Sequence, residues 1–393
     1  MSPIPRLRPY AGPALLTYGF RPFFLFGAIY AGLTILAWLP MFYGELEVAS
    51  AFAPVDWHVH EMLYGYLPAT VAGFLLTAIP NWTGRLPIQG TPLLALFAVW
   101  VLGRVCVTLS AQIGWLPAAV IDCGFLVLLI AACAREIVVG NNWRNLRVIG
   151  MVALLLAGNI AFHIEAHLRG HAEYGTRIGI AAIVLLLALI GGRIIPSFTR
   201  NWLVRENPGR LPAPFSRFDG ATIVVSAAAL AVWIAQPSGG LSAAALLVAA
   251  GMNAVRLVRW AGDRTGRDRL VLILHIGYAF VPLGFLLAAF SALDLIVASA
   301  AMHAWMVGAA GTLTLAVMTR ASLGHTGNAL VASPATQAIY AAIVISAIAR
   351  ICSSLEPAWS DWTLHIAAYA WAAAFLGFAA AYGPLLLRPK PGA

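Results

Sequence analysis

Trp57-His-Val-His-Glu-Met62 heads an apolar run covering residues 59–80, and a run of about 20 such residues is long enough to cross a bilayer as a helix. Ionisable groups inside a run of this kind are expensive, which makes His60 and Glu61 functional candidates at once. A second stretch, Met302-His-Ala-Trp-Met-Val-Gly308, occupies the same place in another run far along the chain. His60 is followed by Gly65, Ala78 and Thr83-Gly84; His303 is followed at the same intervals by Gly308, Ala321 and Thr326-Gly327. The two histidines are therefore expected at one depth.

Working outward, the same kind of run recurs. Of the 393 residues, 61% are hydrophobic and 10% charged, with a mean hydropathy of +0.85; soluble domains are nearer ~45 to 50% apolar. The composition predicts an all-α integral membrane protein. Runs of spanning length lie near 23–43, 59–80, 91–111, 115–134, 147–168, 175–195, 219–235, 241–258, 270–292, 295–319, 334–354 and 363–386, twelve in all. They are too long and too uniformly apolar for barrel strands, so helices alone satisfy the backbone in lipid.

Basic residues gather at the termini and in the even-numbered loops, among them Arg6, Arg8, Arg85, Arg144, Arg200, Arg210, Arg264 and Lys390, while odd-numbered loops carry Glu45, Glu47, Glu173, Asp294 and Glu356. By the positive-inside rule both termini are expected to be cytoplasmic. The net charge of +9 is thus an orientation signal, and no stacking motif or basic arm points to nucleic acid. The first apolar stretch is of spanning length and lacks a small-residue cleavage site, so no cleavable signal peptide is expected. Cys106, Cys123, Cys133 and Cys352 all fall inside spans, and the absence of C-x-x-C-H means that any haem is held non-covalently.

The correspondence between His60 and His303 extends to other helices. Gly103-Arg-Val-Cys-Val-Thr-Leu109 resembles Ala349-Arg-Ile-Cys-Ser-Ser-Leu355, and Tyr30-Ala31 resembles Tyr278-Ala279. Pro196-Ser-Phe-Thr199 is expected to close span six as Pro80-Asn-Trp-Thr83 closes span two. These matches are read as three four-helix pseudo-repeats, about 15–140, 141–262 and 263–390, within one polytopic domain. The proline-rich stretch from Arg200 to Asp219 reads as a linker between spans six and seven.

Two imidazoles facing each other at one level from two membrane helices are what a haem iron with two axial ligands requires. His60 and His303 are the expected pair; a histidine hydrogen-bonded to a neighbouring helix is the plainer alternative. His58, two residues from His60, points to the other side of its helix and is a ligand for a second metal or an interfacial residue. His163, His167 and His171 share one helical face, a stripe that can make a metal site. His163, the deepest, is the best candidate, and a second metal is expected near it and His58, with His275 and His325 next in line; His171 lies in a polar loop. His275 is a ligand, packing or proton-handling group; His325 lies at the end of span ten, where a glycine-rich helix cap is the plainer reading. His365 begins span twelve. Arg104 and Arg350, inside related spans, need anions. Haem propionates would satisfy them bidentately, and Glu61 and Asp122 are the protein alternatives.

Gly19-Phe-Arg-Pro-Phe-Phe-Leu25, Trp57-His-Val-His-Glu-Met62, Gly73-Phe-Leu-Leu-Thr-Ala-Ile-Pro-Asn-Trp-Thr-Gly84, Gly191-Gly-Arg-Ile-Ile-Pro196 and Leu315-Ala-Val-Met-Thr-Arg-Ala-Ser-Leu-Gly-His-Thr-Gly327 together resemble the NnrS family over nearly the whole chain. Asn328 departs from the arginine expected after His-Thr-Gly. The resemblance implies a bacterial inner-membrane protein containing haem and copper and associated with the response to nitric oxide. His58, His60, His163, His275, His303 and His325 lie within stretches that match the family; His167, His171 and His365 do not. The layout is also similar to that of the main subunit of haem-copper oxidases, where histidines of helices two and ten hold a haem. Span seven here carries no histidine, so that subunit's copper site does not transfer.

The expectation is a membrane oxidoreductase with haem b, and copper as a second metal, that removes nitric oxide by reduction to nitrous oxide. Glu61 would relay protons, and the electron donor is unknown. A twelve-helix transporter and a non-catalytic metal-containing sensor are the alternatives.

Overall fold

A computed structural model of the protein describes residues 10–389. Arg6, Arg8 and Lys390, which contribute to the charge asymmetry, lie outside the described residues. Among the described residues there are no strands and twelve helices long and apolar enough to cross a membrane: α1 Phe20–Phe42, α2 Pro54–Thr83, α3 Thr91–Thr108, α4 Trp115–Val139, α5 Trp143–Arg169, α6 Tyr174–Glu206, α7 Arg217–Ala235, α8 Gly240–Arg264, α9 Arg269–Ala292, α10 Ala298–Thr326, α11 Pro334–Leu355 and α12 Pro357–Leu387. The chain is an integral membrane protein.

Each apolar run becomes one helix, and the differences lie at the ends. A hydropathy run marks only the hydrocarbon-facing part, whereas a helix continues wherever its backbone bonds can be made. Thus α6 does not stop at Pro196; it runs through that proline to Glu206, so Pro196-Ser-Phe-Thr199 does not close span six. The parallel motif does end α2, whose last turn is closed by the Gly84 N–H on the Pro80 carbonyl. Other ends follow local rules. Asp268 caps α9 by accepting from the N–H groups of Leu270 and Val271 at 2.9 and 3.3 Å, and Ser216 and Asp219 form a reciprocal capping box on α7.

By packing, the described chain forms two compact units. One takes in the chain up to Gly179, together with Ala321–Ala329 and the chain from Phe378 on; the other is Ile180–Arg320 with Leu330–Gly377. Packing and sequence repetition are different properties, and this division concerns only the first. In the first unit Phe23 packs against Phe97 and Phe125 with ring centres 5.8 and 5.7 Å apart. Arg21 is buried there and donates to the carbonyls of Leu386 and Arg388 at 2.8 and 2.7 Å, placing a cation where the end of α12 presents unpaired carbonyls. In the second unit the fully buried Trp305 lies against Phe285 and Trp233 and donates to the Val281 carbonyl at 3.2 Å.

Among the described residues two segments are π-helical, and each begins immediately after one of the two histidines matched by spacing. Glu61–Tyr66 follows His60 and Ala304–Gly311 follows His303 as π-helix. Such turns insert an extra residue, are rare, and occur frequently at functional sites. Within the first, the Gly65 carbonyl accepts the indole N–H of Trp100 at 2.9 Å.

Candidate metal centre

The first unit buries a cluster of ionisable side chains drawn from five helices. α2 supplies His60 and Glu61, α3 Arg104, α4 Asp122, α5 Asn159 and His163, and α1 Tyr30. Asn159 and His163 are four apart, hence on one face of α5. The π turn after His60 brings Gly65 against Arg104, where a Cβ would collide with the guanidinium; only glycine lets the two helices approach this closely.

Arg104 organises the carboxylates. One terminal nitrogen, Nη1, donates to both oxygens of Glu61 at 2.9 and 2.7 Å, and the other, Nη2, donates to Asp122 Oδ1. The hydroxyl of Tyr30 donates to the Oε2 atom of Glu61. The second oxygen of Asp122, Oδ2, receives Asn159 Nδ2 at 2.8 Å and lies 3.0 Å from His163 Nε2 and 3.2 Å from His60 Nε2. The Nδ1 atom of His60 is 2.8 Å from Glu61 Oε1, and its Nε2 is also 3.1 Å from Asn159 Oδ1. Every one of these oxygens is an acceptor, so hydrogen bonding asks for a proton, or a cation in place of one, at both nitrogens of His60.

With both imidazoles neutral, the charges do not cancel. Glu61 and Asp122 are 0% and 2% exposed and share the single guanidinium of Arg104, itself 5% exposed. Two buried carboxylates against one buried cation leave an excess negative charge, which is strongly unfavourable in this environment unless a cation or a proton joins it. Among the described residues, His60, Asp122 and His163 form the only such group able to hold a metal ion, with ligand atoms within 4.8 Å of one another. Two imidazoles and a carboxylate suit iron, copper or zinc.

A haem at His60 does not fit this arrangement. An axial ligand needs room for the macrocycle beside its nitrogen, whereas the His60 ring is enclosed by His163, Phe162, Tyr64 and Phe52. His303 belongs to the other packing unit, where its Nδ1 lies 2.6 Å from the Ser299 carbonyl. Arg104, expected to hold a propionate, instead holds Glu61 and Asp122. Arg350 is half-buried and donates to Ser354 Oγ at 2.9 Å.

The remaining histidines have other partners. His58 stacks on Trp38 with centroids 4.3 Å apart, as its position two residues from His60 requires. His167 stacks on Trp115, also at 4.3 Å, and His171 pairs with Glu173 at the surface. His325 lies between Tyr18 and Phe20. His365 is bonded through Nδ1 to the Asp361 carbonyl. His275, in the second unit, lies 2.8 Å from Thr199 Oγ1. That hydroxyl donates to the Ile195 carbonyl, so His275 Nε2 is the donor in the pair.

His60, Glu61, His163 and Arg104 were thus all singled out by the sequence. In the sequence Asp122 stands out only as a possible partner for Arg104, Tyr30 only as a marker of the repeat, and Asn159 not at all. The available signal was an isolated carboxylate within the apolar run 115–134, which in a membrane span is a functional candidate by itself.

No curated protein matches the chain. The family model described as NnrS protein matches residues 14–390, which takes in all seven residues of the cluster. With a match of that extent, the chain belongs to the NnrS family.

Proposed function

We propose that His60, Asp122 and His163 hold one transition-metal ion, copper being the metal the family resemblance implies, and that nitric oxide is bound and reduced to nitrous oxide at this centre. The observation that carries the reading is the excess negative charge of Glu61 and Asp122 over Arg104 in a buried site that also offers two imidazoles. A metal ion replacing the proton between His60 and Asp122 removes that imbalance, so uptake is expected to release protons.

Reduction of two nitric oxide molecules to nitrous oxide and water consumes two electrons and two protons, the electrons coming from an external one-electron donor. A bound copper or iron ion supplies a binding point for the diatomic and a place to hold an electron. The protein's own groups do the rest. Arg104 fixes the two carboxylates, and Asn159 orients Asp122 towards the imidazoles. Glu61, bonded on one side to His60 and on the other to Tyr30, is placed to pass protons inward. The aromatic rings around His60 keep bulk water out, while nitric oxide, small and uncharged, reaches a buried site through lipid. The chain is read as a bacterial inner-membrane protein with both termini cytoplasmic.

The test is anaerobic. Purified, copper-loaded protein is given a chemical reductant, nitric oxide is followed with an electrode, and nitrous oxide by gas chromatography. Stoichiometric metal and nitrous oxide production, both lost in His163→Ala, are expected. Metal retained in full by His163→Ala and Asp122→Asn would move the site elsewhere. Metal present without nitrous oxide above the variant background would leave a binding protein rather than an enzyme.

A further inference from the structure

We propose that Phe52 sets the selectivity of this centre, acting as an apolar stopper that bars water, ions and charged ligands from His60 and His163 while leaving access to neutral diatomics through lipid. This inference rests on the metal reading for its consequence, but its geometric basis is separate.

Phe52 is not in a helix. It lies on the loop between α1 and α2, partly buried, and its ring meets both imidazoles, at 5.0 Å from His60 and 5.4 Å from His163, as well as Phe162 at 5.4 Å. The imidazoles themselves are 0% and 3% exposed. The Phe52 ring therefore lies against both imidazoles, while its neighbours Ala51 and Ala53 are exposed.

The loop is tied down at that point. The N–H of Ala51 donates to Ser110 Oγ at 2.8 Å, and the Ser110 hydroxyl donates in turn to the Val107 carbonyl at 2.8 Å. Next to this the N–H of Ala111 donates to the Ala49 carbonyl at 2.9 Å, and the N–H of Phe52 is held by Ser50 Oγ at 3.2 Å. Here the bonds fix Ala49 and Ala51, which lead into Phe52, to the junction of α3 and α4, so the ring is held over the cluster rather than left to swing.

The consequence is chemical selectivity. An ion or an anionic ligand such as azide gives up its hydration to pass an apolar ring, at a cost a neutral diatomic does not meet. A ring sealed by aromatic contacts opens only as often as those contacts break. Truncating it is therefore expected to raise access on the order of tenfold, the equivalent of one or two such contacts.

The experiment compares wild type, Phe52→Ala, Phe52→Leu and Ser110→Ala in two assays. Metal-free protein is treated with diethyl pyrocarbonate and the labelling rates of His60 and His163 are read by mass spectrometry, with the exposed His171 as internal reference. Separately, uptake of copper(II) alone, and of azide by the copper-loaded protein, is timed by absorption. Phe52→Ala is expected to label His60 and His163 about tenfold faster, with His171 unchanged and copper uptake and azide binding accelerated. Ser110→Ala should fall between, and Phe52→Leu, which keeps an apolar plug, should stay near wild type. Equal labelling of His60 and His163 in wild type and Phe52→Ala would overturn the proposal. Faster labelling without copper uptake in any variant would support the stopper while removing the metal reading, so the two failures are distinguishable.

Discussion

Each of the two packing units buries an arginine against a carboxylate, a tyrosine, an asparagine and a glycine, and the two clusters differ in one respect that matters. In the second unit Arg256, fully buried, donates to Asp219 at 3.2 Å, to the Ala188 carbonyl at 2.8 Å and to Tyr278 at 3.0 Å. Tyr278 in turn donates to Asn253 at 2.9 Å, and Asn253 to Ser226 at 2.9 Å. Asp219 also has Arg259 at 3.4 Å and caps α7 through Ser216. That cluster has one carboxylate for two guanidiniums and no histidine; the cluster of the first unit has two carboxylates for one guanidinium and two histidines. The same kind of parts therefore makes a brace in one unit and, with the charge ratio reversed and imidazoles added, the proposed metal site in the other.

The largest expected effect comes from breaking the arginines. Arg104→Leu leaves two buried carboxylates without their cation and is expected to destabilise the protein by roughly 3–5 kcal/mol. Adding Glu61→Gln to it should recover part of that loss. Arg256→Leu leaves Asp219 still paired with Arg259, so a smaller loss of about 1–3 kcal/mol is expected. Unfolding midpoints in detergent measure both, and equal losses would erase the distinction between the clusters.

The glycines come next. A Cβ at Gly65 would strike Arg104, and one at Gly192 would strike Arg256. Each alanine substitution should cost about 1–3 kcal/mol by overpacking, but only Gly65→Ala should also lower metal content, since only it displaces the group that holds Asp122. Metal analysis of both variants, normalised to folded protein, decides the point.

The tyrosines sharpen the comparison most finely. Tyr30→Phe and Tyr278→Phe each remove a hydroxyl that donates within its cluster, with a stability cost of about 0.5–1.5 kcal/mol. Tyr30→Phe should in addition slow nitric oxide consumption at unchanged metal content, because Glu61 loses its neighbour in the proposed proton path. Tyr278→Phe should leave the rate alone. A rate unchanged in Tyr30→Phe would show that protons arrive another way.

Much of this was legible in the sequence, for definable reasons. Hydropathy reports transfer into lipid, so twelve apolar runs became twelve helices, and isolated polar residues inside them marked His60, Glu61, Arg104 and His163. What hydropathy does not report is where a helix continues beyond the lipid, which is why α6 passes Pro196, or how helices are rotated about their axes. Rotation decides partners. It turns both nitrogens of His60 towards Glu61, Asn159 and Asp122, and it is set by contacts such as Gly65 on Arg104 that no single stretch of sequence contains. The match between His60 and His303 was visible as spacing, and both histidines do precede a π turn, yet equal spacing says nothing about which groups each ring meets.

The central claim is that the charge imbalance of the first cluster is met by a metal ion on His60, Asp122 and His163. X-ray absorption spectra of copper-loaded wild type, Asp122→Asn and Asp219→Asn test it most directly. The account expects imidazole ligation in wild type and in Asp219→Asn, with the metal lost or its ligand set changed in Asp122→Asn; full metal content and an unaltered spectrum in Asp122→Asn would contradict it.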